Sequence, residues 1–319
     1  MPDVIALGEL LIDFVSTQPG LSLAEAPAFQ KAPGGAPANV AVGLARLGIS
    51  SGFMGKVGDD PFGHFLAQTL ANDGVDTSTL HFSKEARTAL AFVSLRADGE
   101  RDFMFYRHPS ADMLLRPDEI SDDALRGARA FHFGSITLIG EPSRSATYYA
   151  AQTARDMGLL VSYDPNLRLN LWPSADAARS GIMLGWPLAN VIKITDEELA
   201  FLTGIADPII AASDLWHDNL RLLVVTRGRG GCTFITSTFT GGVPGFPVHS
   251  VDTTGAGDGF VAGLLKGLLE QPQAFGDANR LQKLCRYANA VGALTTTRRG
   301  AIPALPTAAA VTTFLSATT

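Results

Sequence analysis

Short apolar runs that alternate with helical patterns constrain this chain more than any other feature. The runs have the length of β-strands and lie at residues 4–7, 131–133, 159–163, 191–194 and 222–226. Helix-forming sequence covers residues 142–157, and another helical segment opens at Asp196 and ends at Gly204. Strands that alternate with helices build parallel βαβ units whose sheet is covered on both faces. The sequence therefore predicts an α/β fold with a doubly wound, mostly parallel sheet flanked by helices.

Two segments depart from this alternation. Residues 89–106 alternate between apolar and polar side chains around Asp98-Gly99, a strong hairpin signal. Residues 11–32 place apolar side chains among turn residues and also favour β structure. The two segments form either a small separate sheet over the main one or a hairpin at its edge. Although 319 residues is compatible with two domains, no linker-like segment appears, so we expect one domain over residues 1–319.

Composition argues against several classes of protein. A hydrophobic content of 46% with 18% charged residues indicates a folded chain with a sizeable core. The net charge of −6, without a run of Lys or Arg, gives no support for a nucleic-acid partner. No apolar stretch has membrane-spanning length, and the acidic, apolar N-terminus indicates a buried strand and not a signal peptide. Cys232 and Cys285 show neither metal-site spacing nor a disulfide framework, which fits a reducing cytosol, so with no membrane-spanning stretch we expect a cytoplasmic protein without membrane association.

The first of two glycine motifs is GGAPANVA at residues 34–41. Gly34 and Gly35 allow the backbone to pass close to a ligand, because glycine has no Cβ. Pro37 suits the first turn of a helix, and Asn39 lies in that turn, where its amide can face a polar ligand. Such a short motif is either a ligand site or an ordinary tight turn into a helix.

The second motif is DTTGAGDGF at residues 252–260. Gly255, Ala256 and Gly257 leave backbone N–H groups free at the start of a helix, which is an anion-binding arrangement. Asp258 in the same turn is either a helix-favouring acid or a carboxylate beside an anion hole. The second arrangement is what phosphoryl transfer to a hydroxyl requires. The carboxylate accepts the hydroxyl proton, and the N–H groups stabilise the transferring phosphate.

Neither motif is one of the two commonest nucleotide-binding loops. No Gly-Lys-Ser/Thr follows the glycines, and neither motif has the Gly-x-Gly-x-x-Gly spacing after the first strand. The missing dinucleotide fingerprint disfavours a nicotinamide-dependent oxidoreductase. A non-catalytic nucleotide or sugar sensor is disfavoured by Asp258, since a sensor does not need a base.

The two motifs, in this order and about 220 residues apart, resemble the two signatures of the ribokinase-like PfkB carbohydrate kinases. The resemblance covers residues 8–306 and implies an ATP-dependent sugar kinase with Asp258 as catalytic base. It also implies that segments at about 11–32 and 89–106 form a lid over the sugar. In this family such lids often pair to form a homodimer.

The resemblance further implies which residues contact the sugar and the transferred phosphate. The implied sugar contacts come from Asp13, Gly34, Gly35, Asn39 and Asp258. The segment DPNLR at residues 164–168 resembles the one that supplies an Asn and an Arg near the phosphate. Asn166 is therefore expected to bind the nucleotide, and Arg168 to act in catalysis with Asp258 and residues 255–257.

Nucleotide and metal sites follow from the same resemblance. Glu198 resembles the acid of an Asn-x-x-Glu element that organises Mg²⁺ through water, although Thr195 replaces the Asn. Asp252 and Thr254, with the loop near residues 298–300, resemble the site of a monovalent cation such as K⁺. The residues implied to bind ATP are Asn166, Lys193, Thr226, Arg227, Gly228, Gly230, Gly231, Gly257 and Asn289.

The sugar itself is predicted from residues 101–115, 134–142 and 193–198, which look like fructokinase sequences of this family. We expect D-fructose, phosphorylated at its 6-hydroxyl. Close relatives that act on aminoimidazole riboside, 2-keto-3-deoxygluconate or ribose keep those acceptors open, although a sugar acid would call for extra arginines. Phe103 either caps the sugar ring or packs within its hairpin, and Glu141 either contacts the sugar or lies at a helix start.

Overall fold

The computed structural model describes residues 1–95 and 101–318, which form two β-sheets with flanking helices. The strands are β1 (Val4–Leu7), β2 (Leu11–Ser16), β3 (Phe29–Gly34), β4 (Ser51–Gly58), β5 (Leu80–Ser83), β6 (Leu90–Leu95), β7 (Arg101–Tyr106), β8 (Ala130–Gly134), β9 (Leu160–Asp164), β10 (Val191–Thr195), β11 (Leu222–Thr226), β12 (Cys232–Ile235) and β13 (Thr240–Val243). The α-helices are α1 (Ala36–Arg46), α2 (Pro61–Asn72), α3 (Asp122–Arg126), α4 (Ser143–Asp156), α5 (Ala175–Gly185), α6 (Asp196–Thr203), α7 (Pro208–Leu215), α8 (Ala256–Glu270), α9 (Ala278–Thr295) and α10 (Ala308–Ala317).

The larger sheet has nine strands in the order β13-β12-β11-β10-β9-β8-β1-β4-β5. The strands from β11 to β5 pair in parallel, and β12 and β13 add an antiparallel edge. The predicted α/β class with a mostly parallel sheet is confirmed. The strand order reverses at β1, which lies between β4 and β8. Ligands of open α/β sheets bind beyond the carboxyl ends of the strands at such a point.

Helices cover both faces of this sheet. Consecutive residues of a strand point to opposite sides, so neighbouring residues pack against different helices. Val4 and Ala130 pack with residues of α1, α8 and α9. Their sequence neighbours Ile5 and Phe131 pack with residues of α4 and α5 on the other side. Burial on both faces explains why the parallel strands are continuous apolar runs in the sequence.

The helix ends follow local rules that the sequence displays. The helix predicted over residues 142–157 is α4, one residue shorter at each end. Thr195 caps α6 by accepting a hydrogen bond from the N–H of Glu198, and Gly204 ends α6 in the left-handed region at φ 73°. In the part of the chain that the structure describes, no helix has both the length and the apolar character needed to span a membrane.

The smaller sheet is separate from the larger one and has the strand order β3-β2-β6-β7. The alternative of a separate sheet is therefore confirmed over an edge hairpin, while the Asp98-Gly99 turn lies outside the described residues. Asp13 pairs with Ala91, and Ala91 pairs with Phe105, so these three side chains share one face. The opposite face carries an aromatic cluster in which the rings of Phe14 and Phe92 stack at 5.1 Å.

Candidate active site

The starts of α1 and α8 meet at the carboxyl-end edge of the larger sheet. A Cβ on Gly43 of α1 would lie 2.7 Å from the Cβ of Ala262 of α8, so the small residues allow a close approach of the two helices. One turn earlier on each helix, Asn39 Nδ2 donates a 2.7 Å hydrogen bond to Asp258 Oδ2. Both residues are buried. The structure thus joins the two glycine motifs through the amide and the carboxylate that the sequence singled out.

The turn before α1 can be built only from glycine. Gly35 has φ 114°, and a Cβ there would collide with the carbonyl oxygen of Glu9. A Cβ on Gly34 would collide with the carboxylate of Asp13. Glu9 Oε1 accepts a hydrogen bond of 2.9 Å from the N–H of Ala36, which fixes the start of α1. These contacts hold the Asp13 carboxylate against the glycine turn.

The start of α8 has the features of an anion site. Gly255 has φ 79°, and a Cβ there would contact Ala301. Among the described residues, no side chain caps this helix start. A Cβ on Gly257 would lie 3.0 Å from the Nζ of Lys193, so a buried ammonium lies beside the first turn. The helix dipole, the backbone N–H groups and this cation together favour a phosphate group.

Two cations balance the carboxylates of the site. Lys193 Nζ donates a 3.0 Å hydrogen bond to Asp164 Oδ2, and both side chains are buried, Lys193 in the middle of β10 and Asp164 at the end of β9. Burial alone would lower the pKa of Lys193, but the charges of Asp164 and Glu198 outweigh it and raise the pKa. Arg168 is half-buried, and its charge lowers the pKa of both Asp13 and Asp258.

Asp258 and Asp13 both have raised pKa values. The pKa of Asp258 is raised to about 6, first by burial and then by the charge of Asp164, while the hydrogen bond from Asn39 opposes the rise. The pKa of Asp13 is raised to about 7, again mainly by burial. A carboxylate with a pKa near 6 is ionised at pH 7 and is a stronger base than an ordinary aspartate.

Residues 164–168 form a turn held by Glu198. Asn166 has φ 44°, in the left-handed region, and its N–H donates a 3.2 Å hydrogen bond to Asp164 Oδ1. Glu198 Oε1 accepts from the N–H of Leu167 at 2.6 Å, and Oε2 accepts from the N–H of Thr195 at 2.9 Å. Thr195, which replaces the Asn of the family pattern, is therefore a helix cap. Each Glu198 oxygen keeps a second lone pair, so this carboxylate fits the predicted water-mediated contact with Mg²⁺.

The predicted cation loop is organised by Asp252. Its carboxylate accepts hydrogen bonds from the N–H and hydroxyl of Thr254 at 2.9 and 2.7 Å and from the N–H of Gly300 at 2.9 Å. These bonds join the two loops that were predicted to hold a monovalent cation, and their oxygen groups suit a hard cation. No cluster of three or more His, Cys, Asp or Glu side chains with metal-site geometry occurs within residues 1–95 and 101–318.

The predicted nucleotide turn follows β11. Gly228 and Gly231 have φ 48° and 86°, and a Cβ on Gly231 would collide with the carbonyl oxygen of Val243. Arg227 Nη1 donates to Thr233 Oγ1 at 2.8 Å, and Thr226 Oγ1 donates weakly to the carbonyl of β10 at 3.4 Å. Gly230 lies within the same single-turn segment.

Asn289 connects α9 to the loop after β13. Its Nδ2 donates to the carbonyl oxygens of Val243 and Pro244 at 3.3 and 3.2 Å. An open cavity of about 430 Å³ borders this loop and α9, and its lining residues are Val243, Pro244, Asn279, Gln282, Lys283 and Arg286. The cavity does not include Asp258, so it is separate from the group of charged residues around that carboxylate.

The two remaining predicted sugar contacts, Phe103 and Glu141, are not among the residues that bond to each other around Asp258. Phe103 is half-exposed on β7, and its pairing with Val93 places it on the same face of the small sheet as Asp13. Glu141 is exposed at the start of α4, where its Oε2 accepts a hydrogen bond of 3.1 Å from the N–H of Ser145. Sugar contacts for both residues stay predictions.

The structure also places residues in the cleft that the sequence did not assign. Glu9 is a buried acid two residues beyond the end of β1, and Asp164 is a buried acid at the end of β9. The available signal was a charged residue next to a buried apolar run. Arg107 and Asp112 form a buried ion pair near the small sheet, and only their contact in the folded chain identifies them.

A family model described as pfkB family carbohydrate kinase matches residues 1–308. The chain belongs to this family. The predicted resemblance is thereby confirmed, and a sugar is the class of substrate on which this kinase acts.

Individual relatives and solved structures point the same way. The kinase is 56% identical to fructokinase-2 of Solanum lycopersicum over 315 residues, which cover 98% of this chain and 95% of the relative. A fructokinase of Xylella fastidiosa with bound ATP superimposes with a TM-score of 0.92 at 36% identity, over 100% and 99% of the two chains. A double mutant of the Vibrio cholerae O395 fructokinase, in a form with bound fructose, ADP and potassium ion, gives a TM-score of 0.88 at 39% identity, over 99% and 98%.

Proposed function

We propose that this protein is a fructokinase that transfers the γ-phosphate of ATP to the 6-hydroxyl of D-fructose, with Asp258 as general base. The observation that carries the proposal is the position of Asp258 in the uncapped first turn of α8, hydrogen-bonded to Asn39. Its raised pKa of about 6 makes it a better proton acceptor than an ordinary aspartate while leaving it ionised at pH 7. Several of the relatives are fructokinases, and this similarity favours fructose over other sugars as the substrate of this protein.

The sugar is held between the two glycine motifs and the small sheet. Asn39 Oδ1 is buried and accepts no hydrogen bond from the described residues, so it is suited to accept one from a sugar hydroxyl. Asp13, against Gly34, accepts a hydrogen bond from a second sugar hydroxyl. The small sheet, with Phe103 on its inner face, acts as a lid. When it covers the sugar it excludes water that would otherwise accept the phosphate.

The transferring phosphate lies over the N–H groups at the start of α8. Arg168 and the ammonium of Lys193 stabilise its negative charge, and most of the rate comes from positioning and charge stabilisation. The nucleotide extends along Asn166 and the turn at residues 226–231 towards Asn289. ATP is bound in the related Xylella structure.

Metal ions complete the proposed site. Glu198 would hold Mg²⁺ through water, and Asp252, Thr254 and nearby carbonyls would hold K⁺, the ion bound in the related Vibrio structure. When bound, Mg²⁺ would neutralise charge on the ATP phosphates, and K⁺ would add positive charge to the site.

We further propose that residues 1–319 act as one domain, with the lid formed by segments of about 11–32 and 89–106. Half-exposed or exposed apolar side chains on the lid, Val15, Phe103, Met104 and Tyr106, favour a homodimer formed through it. The buried thiols of Cys232 and Cys285, which form no disulfide, favour the cytoplasm.

The proposal is tested by measuring ADP release from MgATP with fructose, ribose, aminoimidazole riboside and 2-keto-3-deoxygluconate. Product NMR identifies the phosphorylated hydroxyl, and the Asp258→Asn variant is the control. We expect turnover on fructose at the 6-hydroxyl that the variant loses. Turnover on another sugar would retain the mechanism and reject fructose. ATP and sugar binding without ADP release from any acceptor would replace the kinase by a non-catalytic binding protein.

A further inference from the structure

A buried ion pair lies beside the sugar cleft and has no part in the mechanism above. Arg107 Nη2 and Nε both donate to Asp112 Oδ2, the second at 3.1 Å. The side chains of Arg107 and Asp112 are 5% and 1% exposed. Ser110 Oγ donates to the other carboxylate oxygen of Asp112. Both carboxylate oxygens of Asp112 thus accept hydrogen bonds from side chains of the protein.

The pair lies next to the end of the lid strand β7. Arg107 directly follows β7, two residues after Phe105, and alternation along the chain places it on the face that carries Asp13. The charges of Arg107 and Asp112 both act on Glu9, which supports the glycine turn. Burial raises the pKa of Glu9 to about 7, and of the smaller influences the charge of Arg107 lowers this pKa and that of Asp112 raises it. The pair therefore lies within electrostatic range of the backbone that holds the sugar.

Stability alone gives little reason for such a pair. The cost of removing two charges from water generally cancels their attraction, and apolar residues of similar size stabilise a core equally well. Selection between sugar substrates gives a reason for keeping the Arg107–Asp112 pair. With the acceptor hydroxyl at Asp258, the opposite end of a six-carbon sugar points towards the lid. A sugar acid carries its carboxylate at that end, where an unpaired arginine would bind it in bidentate fashion.

We propose that Asp112 neutralises Arg107 so that the sugar site selects neutral sugars and rejects sugar acids such as 2-keto-3-deoxygluconate. This inference rests on the proposed function for the orientation of the sugar. In the native pair the guanidinium cannot turn to a ligand without leaving a buried carboxylate unpaired, which is costly. Glu9 and Asp13 add negative charge to the same region when they are ionised, and a sugar carboxylate would be repelled.

The experiment compares fructose with 2-keto-3-deoxygluconate in the Asp112→Asn variant, which keeps the size of the side chain and removes its charge. The measured quantities are kcat/KM for each sugar and calorimetric affinity for the sugar acid. We expect the ratio of sugar acid to fructose to rise by about ten-fold or more, the size of a hydrogen-bonded charge contact. The double variant Arg107→Gln with Asp112→Asn removes both charges and should return the ratio close to that of the wild type.

A matched control separates specificity from general damage. Arg46 and Asp73 form a similar Arg–Asp pair at 2.7 Å, partly buried between α1 and the end of α2. Asp73→Asn should lower stability without changing the ratio. Ser110→Ala keeps both charges but loosens Asp112, and it should shift the ratio in the same direction by about three-fold. It is the milder second variant if Asp112→Asn does not fold.

An unchanged or lower ratio in folded Asp112→Asn, or an equal rise in Asp73→Asn, would overturn the inference. If the wild type turns over no fructose, the proposed function fails. The calorimetric comparison still tests the pair in that case, because a gain in affinity for the sugar acid in Asp112→Asn requires no turnover.

Discussion

Asp258→Asn should make the protein more stable while it removes catalysis. The wild-type protein holds an ionised carboxylate in a buried position that raises its pKa from the usual 3.8 to about 6. An amide of the same size avoids this penalty and still accepts the hydrogen bond from Asn39 Nδ2. Residues selected for catalysis commonly lower the stability of a protein, and we expect Asp258 to do so.

The magnitude follows from linkage between protonation and folding. The folded state binds the proton of Asp258 more tightly than the unfolded state, so the free energy of unfolding falls as pH rises from about 4 to about 6. Each pKa unit corresponds to about 1.4 kcal/mol, and the rise from 3.8 to about 6 therefore corresponds to about 3 kcal/mol. The variant should gain about this amount at pH 8 and only a small part of it at pH 4, where the carboxyl is protonated in the folded state and about half protonated in the unfolded state.

Urea unfolding followed by tryptophan fluorescence at pH 4 and pH 8 measures the effect. Asp156→Asn, at the exposed end of α4, is the matched control and should show no gain at either pH. A variant that is less stable than the wild type at pH 8, or that gains equally at both pH values, would refute the account of Asp258 as a desolvated carboxylate.

Three further predictions concern turnover and backbone geometry. The value of kcat/KM should rise about ten-fold per pH unit up to about pH 6, because only ionised Asp258 accepts the proton, and a profile flat from pH 5 to 8 would exclude this. Arg168→Ala should lower kcat more than it raises the KM for fructose, and the opposite pattern in steady-state kinetics would move Arg168 into the sugar site. Gly35→Ala should lower the Tm and raise the fructose KM, since φ 114° and the Glu9 carbonyl leave no room for a Cβ. Gly276→Ala, where a Cβ meets nothing within 4 Å, should change neither value in the same assays.

The features that could be predicted from sequence are those set by neighbouring residues. The starts of α1 and α8 follow from runs of small residues before apolar stripes, and the strands follow from apolar runs of fitting length. Gly204 ends α6 as predicted, because a left-handed residue there favours glycine. Local steric rules act within a few residues, so one sequence suffices to apply them.

The features that could not be predicted depend on contacts between distant segments. Asn39 and Asp258 are 219 residues apart, and their hydrogen bond depends on the close approach of α1 and α8. The parallel pairing of β2 with β6 forms the small sheet across about 75 residues, with no periodic signal for the partner or the register. Family resemblance pointed to a lid here, but the strand order of its sheet emerged only from the folded chain.

The central claim is that Asp258 accepts the proton of the sugar hydroxyl. Its most direct test is the single-turnover rate of phosphoryl transfer in Asp258→Asn at saturating MgATP and fructose, with fructose binding measured separately by calorimetry. The account predicts a rate lower by about 10²- to 10⁴-fold with binding retained. A near-normal rate in a variant that binds fructose and ATP would show that another group takes the proton and would contradict the account.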